Sequence, residues 1–255
     1  VRSGKRVVGV ITLTPSTGEV VLLTPAVVLA TGGIGRVYVK TTNPPTVTGD
    51  GLVIAARAGA ALRDLEFVQF HPTALDAKTD PLPLLTEALR GAGATLLDGE
   101  GQRFMAKIHP HAELAPRDVV ARAVGQAAEN GGAYLDVTPI AGELTSKFPT
   151  LVATAASVGI DPFSDPLPVT PAAHYYMGGI VTDIDGKTSL RGLYACGEVA
   201  TTGLHGSNRL ASNSLLEGLV FADRVASSIR KSSYDKVPRR AEIPVEQPIS
   251  TAEPS

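Results

Sequence analysis

At 255 residues the chain is long enough for one large or two small domains, and its 44 % hydrophobic content is ordinary for a folded protein. A formal net charge of −2 gives no electrostatic case for a nucleic-acid partner. No apolar run approaches the roughly 18 residues that a membrane span needs, and the single cysteine, Cys196, excludes an internal disulfide and fits a reducing compartment such as the cytoplasm.

Residues 1–13 carry no signal-peptide pattern and read as the middle of a fold, so a longer protein is expected. Residues 6–13 and 19–23 are β-rich runs around Pro15-Ser-Thr-Gly18, which predicts a strand–turn–strand unit. Residues 26–30 predict a short apolar strand ending in Thr31-Gly32-Gly33. A buried strand that stops at paired glycines lets a ligand approach the backbone closely, although a plain tight turn is the commoner use of such a pair. The loop Thr41-Thr-Asn-Pro-Pro45 precedes Thr48-Gly-Asp-Gly51 and a helical run over residues 52–61. Asp50 there fits an N-cap or a first-turn acid.

Residues 64–74, Asp-Leu-Glu-Phe-Val-Gln-Phe-His-Pro-Thr-Ala, predict a strand leading to a polar turn. His71 precedes a proline that holds it extended. A lone histidine of this kind is more often a structural hydrogen-bonding group than a catalytic one. Thr86 and Glu87 adjoin on a short helical segment and face different directions, which fits capping or a solvated surface. Residues 114–120 predict a helix start, with Pro116 at the first helical position and Asp118 in the first turn. Arg117 then sits at the positive end of a helix, where a cation needs an anionic partner. A bound carboxylate and a neighbouring Asp or Glu satisfy that need equally well.

Residues 131–159 are a mixed region with a helix near 150–158, and residues 161–171 read as a proline-rich connector. His174-Tyr-Tyr-Met-Gly-Gly-Ile180 follows, with Tyr175 and Tyr176 as core or edge-strand aromatics. Gly192-Leu-Tyr-Ala-Cys-Gly-Glu198 predicts a buried strand ending in Gly197-Glu198. A glycine-bearing loop with one arginine, Arg209, then runs into a helix start. Ser214 and Glu217 fit a capping box, and Leu215, Leu216, Leu219, Val220, Ala222, Ala226 and Ile229 recur at helical spacing. Such a helix N-terminus favours negative charge. Residues 231–255 lack periodicity and predict a linker or disordered tail.

Several strings, taken in this order, resemble the fumarate reductase/succinate dehydrogenase flavoprotein family. They are Ala-Thr-Gly-Gly at 30–33, Thr-Gly-Asp-Gly at 48–51, Gln-Phe-His-Pro-Thr at 69–73, Pro-Arg-Asp at 116–118, His-Tyr-x-x-Gly-Gly at 174–179 and the strand–loop–arginine–helix segment at 192–216. The Thr202-Gly-Leu-His205 and Leu210-Ala-Ser-Asn-Ser214 wording, with Glu217, is closest to family members that oxidise L-aspartate. Ser207 stands where the family usually has alanine. The family's Gly-x-Gly-x-x-Gly turn and its C-terminal helical bundle are not found, so the chain is expected to be the central part of a longer enzyme.

The resemblance implies an α/β fold. Residues 1–63 and 177–230 would form the C-terminal portion of a Rossmann-like FAD-binding domain, and residues 64–176 an inserted α+β capping domain. It implies FAD as cofactor, beside Ala30, Thr31, Gly32, Gly33, Asp50, Gly197, Glu198, Ser214 and Leu215, and no metal. It places His71, Thr86, Glu87, Arg117, His174 and Arg209 at a dicarboxylate pocket. The implied reaction takes L-aspartate to iminoaspartate, with oxygen or fumarate as electron acceptor, and hands the product to quinolinate synthase in NAD biosynthesis. A succinate dehydrogenase or fumarate reductase flavoprotein subunit and a non-catalytic fragment are the alternatives. Arg117 is the family's proton-transfer residue, whereas an arginine pKa above roughly 12 supports electrostatic alignment of substrate better.

Overall fold

The β-rich runs at the start of the chain pair as a hairpin, and only the first of them alternates in burial. In the computed structural model, which describes residues 1–232, Gly9–Thr14 and Gly18–Leu23 are antiparallel, with Gly9 opposite Leu23 and Thr14 opposite Gly18. The apolar strand Val27–Leu29 pairs in parallel with Leu193–Ala195, and both strands end at glycine-bearing turns. A small sheet of Leu62–Arg63, Gly179–Val181 and Ala200–Thr201 lies in the same core. Val27, Leu29, Ala55, Ile180, Leu193 and Val199 fill that core.

A second core holds a four-stranded antiparallel sheet ordered Val68–Leu75, Leu167–Tyr176, Ala133–Asp136, Thr95–Asp98. Helix Arg117–Glu129 packs across it through Val120, Ala123 and Val124. Leu96, Leu135 and Leu167 have no measurable exposure. Each such leucine contributes about 1.5–3 kcal/mol by leaving water. The whole is a mixed α/β protein, and among the described residues no helix is long and apolar enough to cross a membrane.

Five local expectations need correction. The connector over residues 161–171 becomes strand from Leu167 onward, with Pro168 opposite Tyr134. Its register against Val68–Leu75 shifts between Thr170 and Ala172, where Pro171 has no N–H to give the ladder. The polar turn expected at the end of residues 64–74 does not form, because strand Val68–Leu75 runs on through Pro72, Thr73 and Ala74 with His71 extended inside it. The run over residues 52–61 is helix Asp50–Arg57, stopped where Gly59 turns left-handed at φ 86° and Ala60 N–H bonds back to Ala55 O. Pro116 is an N-cap, not the first helical residue. Its ψ of 143° is extended, and its carbonyl accepts from Val119 and Val120.

The fifth correction concerns helix Asn213–Lys231. Its N-cap is Ser212, left-handed at φ 65° and without a side-chain cap, so the Ser214–Glu217 capping box does not form. The Glu217 carboxylate turns instead to the preceding loop, accepting from Thr202 Oγ1 at 2.6 Å and pairing with His205 Nε2 at 2.7 Å. That sets the helix rotation. Phe221, Val225 and Ile229 pack on Tyr194 and Cys196, while Leu215 at 77 % and Leu219 at 71 % face outward. The apolar spacing thus marks a face that the described residues bury only in its second half. The tail expected over residues 231–255 lies outside the described residues from position 233.

Candidate active site

The candidate residues fall into two groups. The first lies at the carboxyl ends of the parallel pair, the place where open α/β sheets bind ligands. Gly32 adopts φ 78°, and a Cβ on Gly33 would overlap Oε1 of Glu198. Glu198 reaches there from the short turn Gly197–Val199 and accepts from Tyr176 N–H at 2.8 Å. Burial raises its pKa, against the pull of that N–H and of Arg209. A Cβ on Gly51 would likewise overlap Thr31 Oγ1, so the strand end and the helix start carrying Asp50 are in contact. Ala30, Thr31 and Asp50 are exposed beside this closely packed backbone. Glycine backbone at two parallel strand ends, with helix Asn213–Lys231 packed against the Gly197–Val199 turn, fits a flat dinucleotide cofactor such as FAD. No hydrogen bond joins Ser214 or Leu215 to the strand-end residues among the described residues.

The second group collects around two arginines. Arg117 is the first residue of its helix, and its charge has a protein partner. Nε donates to Glu87 Oε2 at 2.7 Å, and Nη1 donates to Gln69 Oε1 at 3.0 Å. The neighbouring-acid reading therefore accounts for Arg117. Glu87 opens helix Glu87–Ala92, and Thr86 caps it by accepting from Ala88 N–H at 3.3 Å. Thr86 makes no hydrogen bond to the other candidates among the described residues.

Arg209 differs. It is buried, its guanidinium carbon stands 4.3 Å above the ring of Tyr175, and its Nε has no hydrogen-bond partner among the described residues. Among the described residues its guanidinium makes one hydrogen bond, a long one of 3.5 Å from Nη1 to Leu210 O. Burial, then Arg117, lower its pKa. His71 and His174 meet edge to face with ring centroids 5.2 Å apart. Burial, with Arg117 and Arg209 nearby, drives His71 well below the usual histidine range and His174 down to about 4. Both imidazoles are therefore neutral at pH 7.

Gln69 links the two arginines, and sequence reasoning passed it over. Its Nε2 donates to Arg209 O at 2.7 Å and to Asn208 Oδ1 at 3.0 Å, while its Oε1 accepts from Arg117. Asn208 Nδ2 in turn donates to Asp118 Oδ1 at 2.9 Å. The period of two along a strand was the available signal, because Gln69, His71 and Thr73 share one buried face. Arg90 was also missed. It is buried, donates to Glu113 O and lies 4.0 Å from Glu87 Oε2, one helical turn away. Tyr175 is no mere core aromatic: it supports Arg209, and its hydroxyl donates to Glu217 Oε2 at 3.4 Å. A cavity of about 230 Å³ opens beside Gln69, Asp118, Asn208 and the unusual Ser207.

Comparison with known proteins follows the same lines. Residues 1–215 match the family described as FAD binding domain. The chain is 56 % identical over 212 residues to the L-aspartate oxidase of Streptomyces coelicolor, covering 80 % of this chain and 37 % of that protein. It is 55 % identical over 222 residues to the L-aspartate oxidase of Caulobacter vibrioides, covering 86 % and 43 %. A solved quinol fumarate reductase of E. coli superposes with a TM-score of 0.79 at 36 % identity, over 92 % of this chain and 44 % of that one. The chain spans about two-fifths of the length of these curated relatives.

Proposed function

The chain belongs to the FAD binding domain family, and from that premise we propose that it carries the substrate pocket of an enzyme oxidising L-aspartate to iminoaspartate. The observation that carries this reading is Arg209, a buried guanidinium whose Nε lacks a partner among the described residues. The Tyr175 ring offsets part of the burial of that charge, and a buried N–H without an acceptor still costs about 1–3 kcal/mol. A substrate carboxylate held in a bidentate fork removes that cost. The neighbouring imidazoles are neutral and donate to carboxylate oxygens without adding charge. Arg117, held by Glu87 and Gln69, aligns the substrate and steadies developing charge.

When bound, FAD supplies the two-electron acceptor for the Cα–H bond of the substrate, and oxygen or fumarate takes the electrons onward. Gly32, Gly33, Glu198 and Thr31 would hold it at the strand ends, and the start of helix Asn213–Lys231 would offer free N–H groups to its negative charge. In this reading residues 64–176 form the inserted cap, and residues 1–63 with 177–230 form part of the Rossmann-like domain. The division of the cores supports it: one cluster draws only on residues 75–169, the other only on residues 7–60 and 180–200. The product then passes to quinolinate synthase in NAD biosynthesis, in the cytoplasm. Identity above 50 % to aspartate oxidases, against 36 % to the quinol fumarate reductase, favours the amino-dicarboxylate over succinate. Anaerobic mixing of the FAD-loaded protein with L-aspartate tests it. Bleaching of the flavin band by aspartate but not by succinate is expected; bleaching by succinate alone would overturn it.

A further inference from the structure

The two imidazoles that face Arg117 and Arg209 each use Nδ1 within the protein, and neither Nε2 has a hydrogen-bond partner among the described residues. For His71, Nδ1 lies 3.2 Å from the main-chain N of Thr73. A backbone N–H only donates, so that Nδ1 accepts and is bare. The Thr73 hydroxyl, 3.4 Å from the same nitrogen, does not compete, because it donates to Leu85 O at 2.9 Å. A neutral imidazole carries one proton, so in His71 it sits on Nε2.

For His174 the partner is a hydroxyl, Thr42 Oγ1 at 2.9 Å, which has one proton to place. Its alternative acceptor is Ala173 O at 3.4 Å. That carbonyl already accepts Thr42 N–H at 3.0 Å and the Thr41 hydroxyl at 3.0 Å, which uses both lone pairs. With the proton on Nδ1 instead, the Thr42 hydroxyl would be left with that saturated carbonyl at 3.4 Å as its own acceptor, a much poorer bond. Thr42 therefore donates to Nδ1, and His174 also carries its proton on Nε2.

We propose that Thr42, through its hydroxyl, and Thr73, through its main-chain N–H, are positioning residues that lock His174 and His71 as Nε2–H tautomers, giving the pocket two donors for carboxylate oxygens. The tautomers follow from this chain's own bonds, whereas their use on a carboxylate rests on the aspartate-oxidising reading above. The lock matters because an imidazole in the other tautomer turns a lone pair toward the substrate oxygens and repels them.

Long-range proton–nitrogen correlation NMR on the 255-residue chain, labelled with ¹⁵N-histidine at pH 7, reads each tautomer directly, with His71→Gln and His174→Gln assigning the signals. Both residues are expected to show a protonated Nε2 and a bare Nδ1. Thr42→Val should shift His174 toward the Nδ1–H form and leave His71 unchanged, and Thr42→Ser should restore it. Thr73→Val should leave His71 unchanged, since the donor there is main chain. Either histidine with a protonated Nδ1 in the unaltered chain, or an unmoved His174 in Thr42→Val, would overturn the proposal. In the FAD-loaded protein Thr42→Val should weaken succinate inhibition roughly 3- to 10-fold, the scale of one hydrogen bond, with smaller change in kcat. The stated tautomers together with no binding of aspartate or succinate would uphold the lock and overturn the functional reading.

Discussion

Arg209 rests on the face of Tyr175 while its Nε waits for an acceptor, so charge and hydrogen-bond geometry separate in one substitution. Arg209→Lys keeps the charge and loses the planar fork. Hydrogen bonds to charged groups contribute about 1.5–3 kcal/mol, so succinate inhibition of the FAD-loaded protein should weaken roughly 10- to 100-fold. An unchanged inhibition constant would remove Arg209 as the anchor. Arg117→Leu should leave flavin bound and slow aspartate-dependent flavin reduction by roughly 10²-fold, the scale of a preorganised electrostatic group. Stopped-flow rates normalised to bound flavin decide it, because a purely structural role predicts lost flavin at near-normal turnover. The histidines add a pH dependence. His174 titrates at about 4 in the fold, below the ordinary 6.5. Between those values the unfolded chain binds more protons, so its contribution to stability is present above pH 6.5 and is lost as pH falls toward 4. The denaturation midpoint should drop across that window, and His174→Gln should flatten the drop.

At the scale of elements, the strand ends and helix starts place the groups. In the turn after Val27–Leu29 the Glu198 carboxylate packs into the space that a Cβ at position 33 would take, so any larger residue there makes that carboxylate move. Gly33→Ala should displace Glu198 and lower flavin affinity, while the melting temperature falls; titration of flavin fluorescence checks the first and a thermal scan the second. Thr86 holds the first turn of Glu87–Ala92, and so holds Glu87 against Arg117. Thr86→Ala should cost about 0.5–2 kcal/mol, the usual loss of an N-cap, read by urea denaturation. Thr86→Ser should recover most of it. Equal loss in both variants would mean that the methyl group, not the cap, is what the fold needs.

Across the whole molecule, the buried apolar residues fall into separate clusters, and one helix begins with its apolar residues turned outward. None of the 255 residues supplies a Gly-x-Gly-x-x-Gly turn for a pyrophosphate. The 255-residue chain by itself is therefore expected to hold FAD substoichiometrically after gel filtration. A one-to-one flavin spectrum from the purified chain would show that the strand-end shelf suffices. Exposed Leu215, Leu216, Leu219 and Val220 also predict binding of an apolar fluorescent dye by the free chain, since contiguous apolar surface of this kind is seldom left to water.

Local chemistry alone made the hairpin at 9–23, the strand into Gly32-Gly33 and the helices at 117 and 213 legible, because period and glycine signals act over a few residues, whereas the caps of those two helices are not the ones expected. The ordered strings likewise pointed to a flavoprotein and to His71, His174, Arg117 and Arg209. Partners were another matter. Glu217 reads as a capping residue by spacing, yet its carboxylate goes to Thr202 and His205 once the loop folds back. Residues 167–171 read as connector, yet pairing with Ala133–Asp136 and Val68–Leu75 overrides two prolines. Arg117 calls for an anion by position, but only the approach of Glu87, thirty residues earlier, supplies one, and Arg209 beside it keeps an Nε without a partner among the described residues. Sequence determines which residues can carry charge, turns and hydrogen bonds. Tertiary structure decides which of those bonds are already made, because each depends on groups that only folding brings within 3 Å of one another.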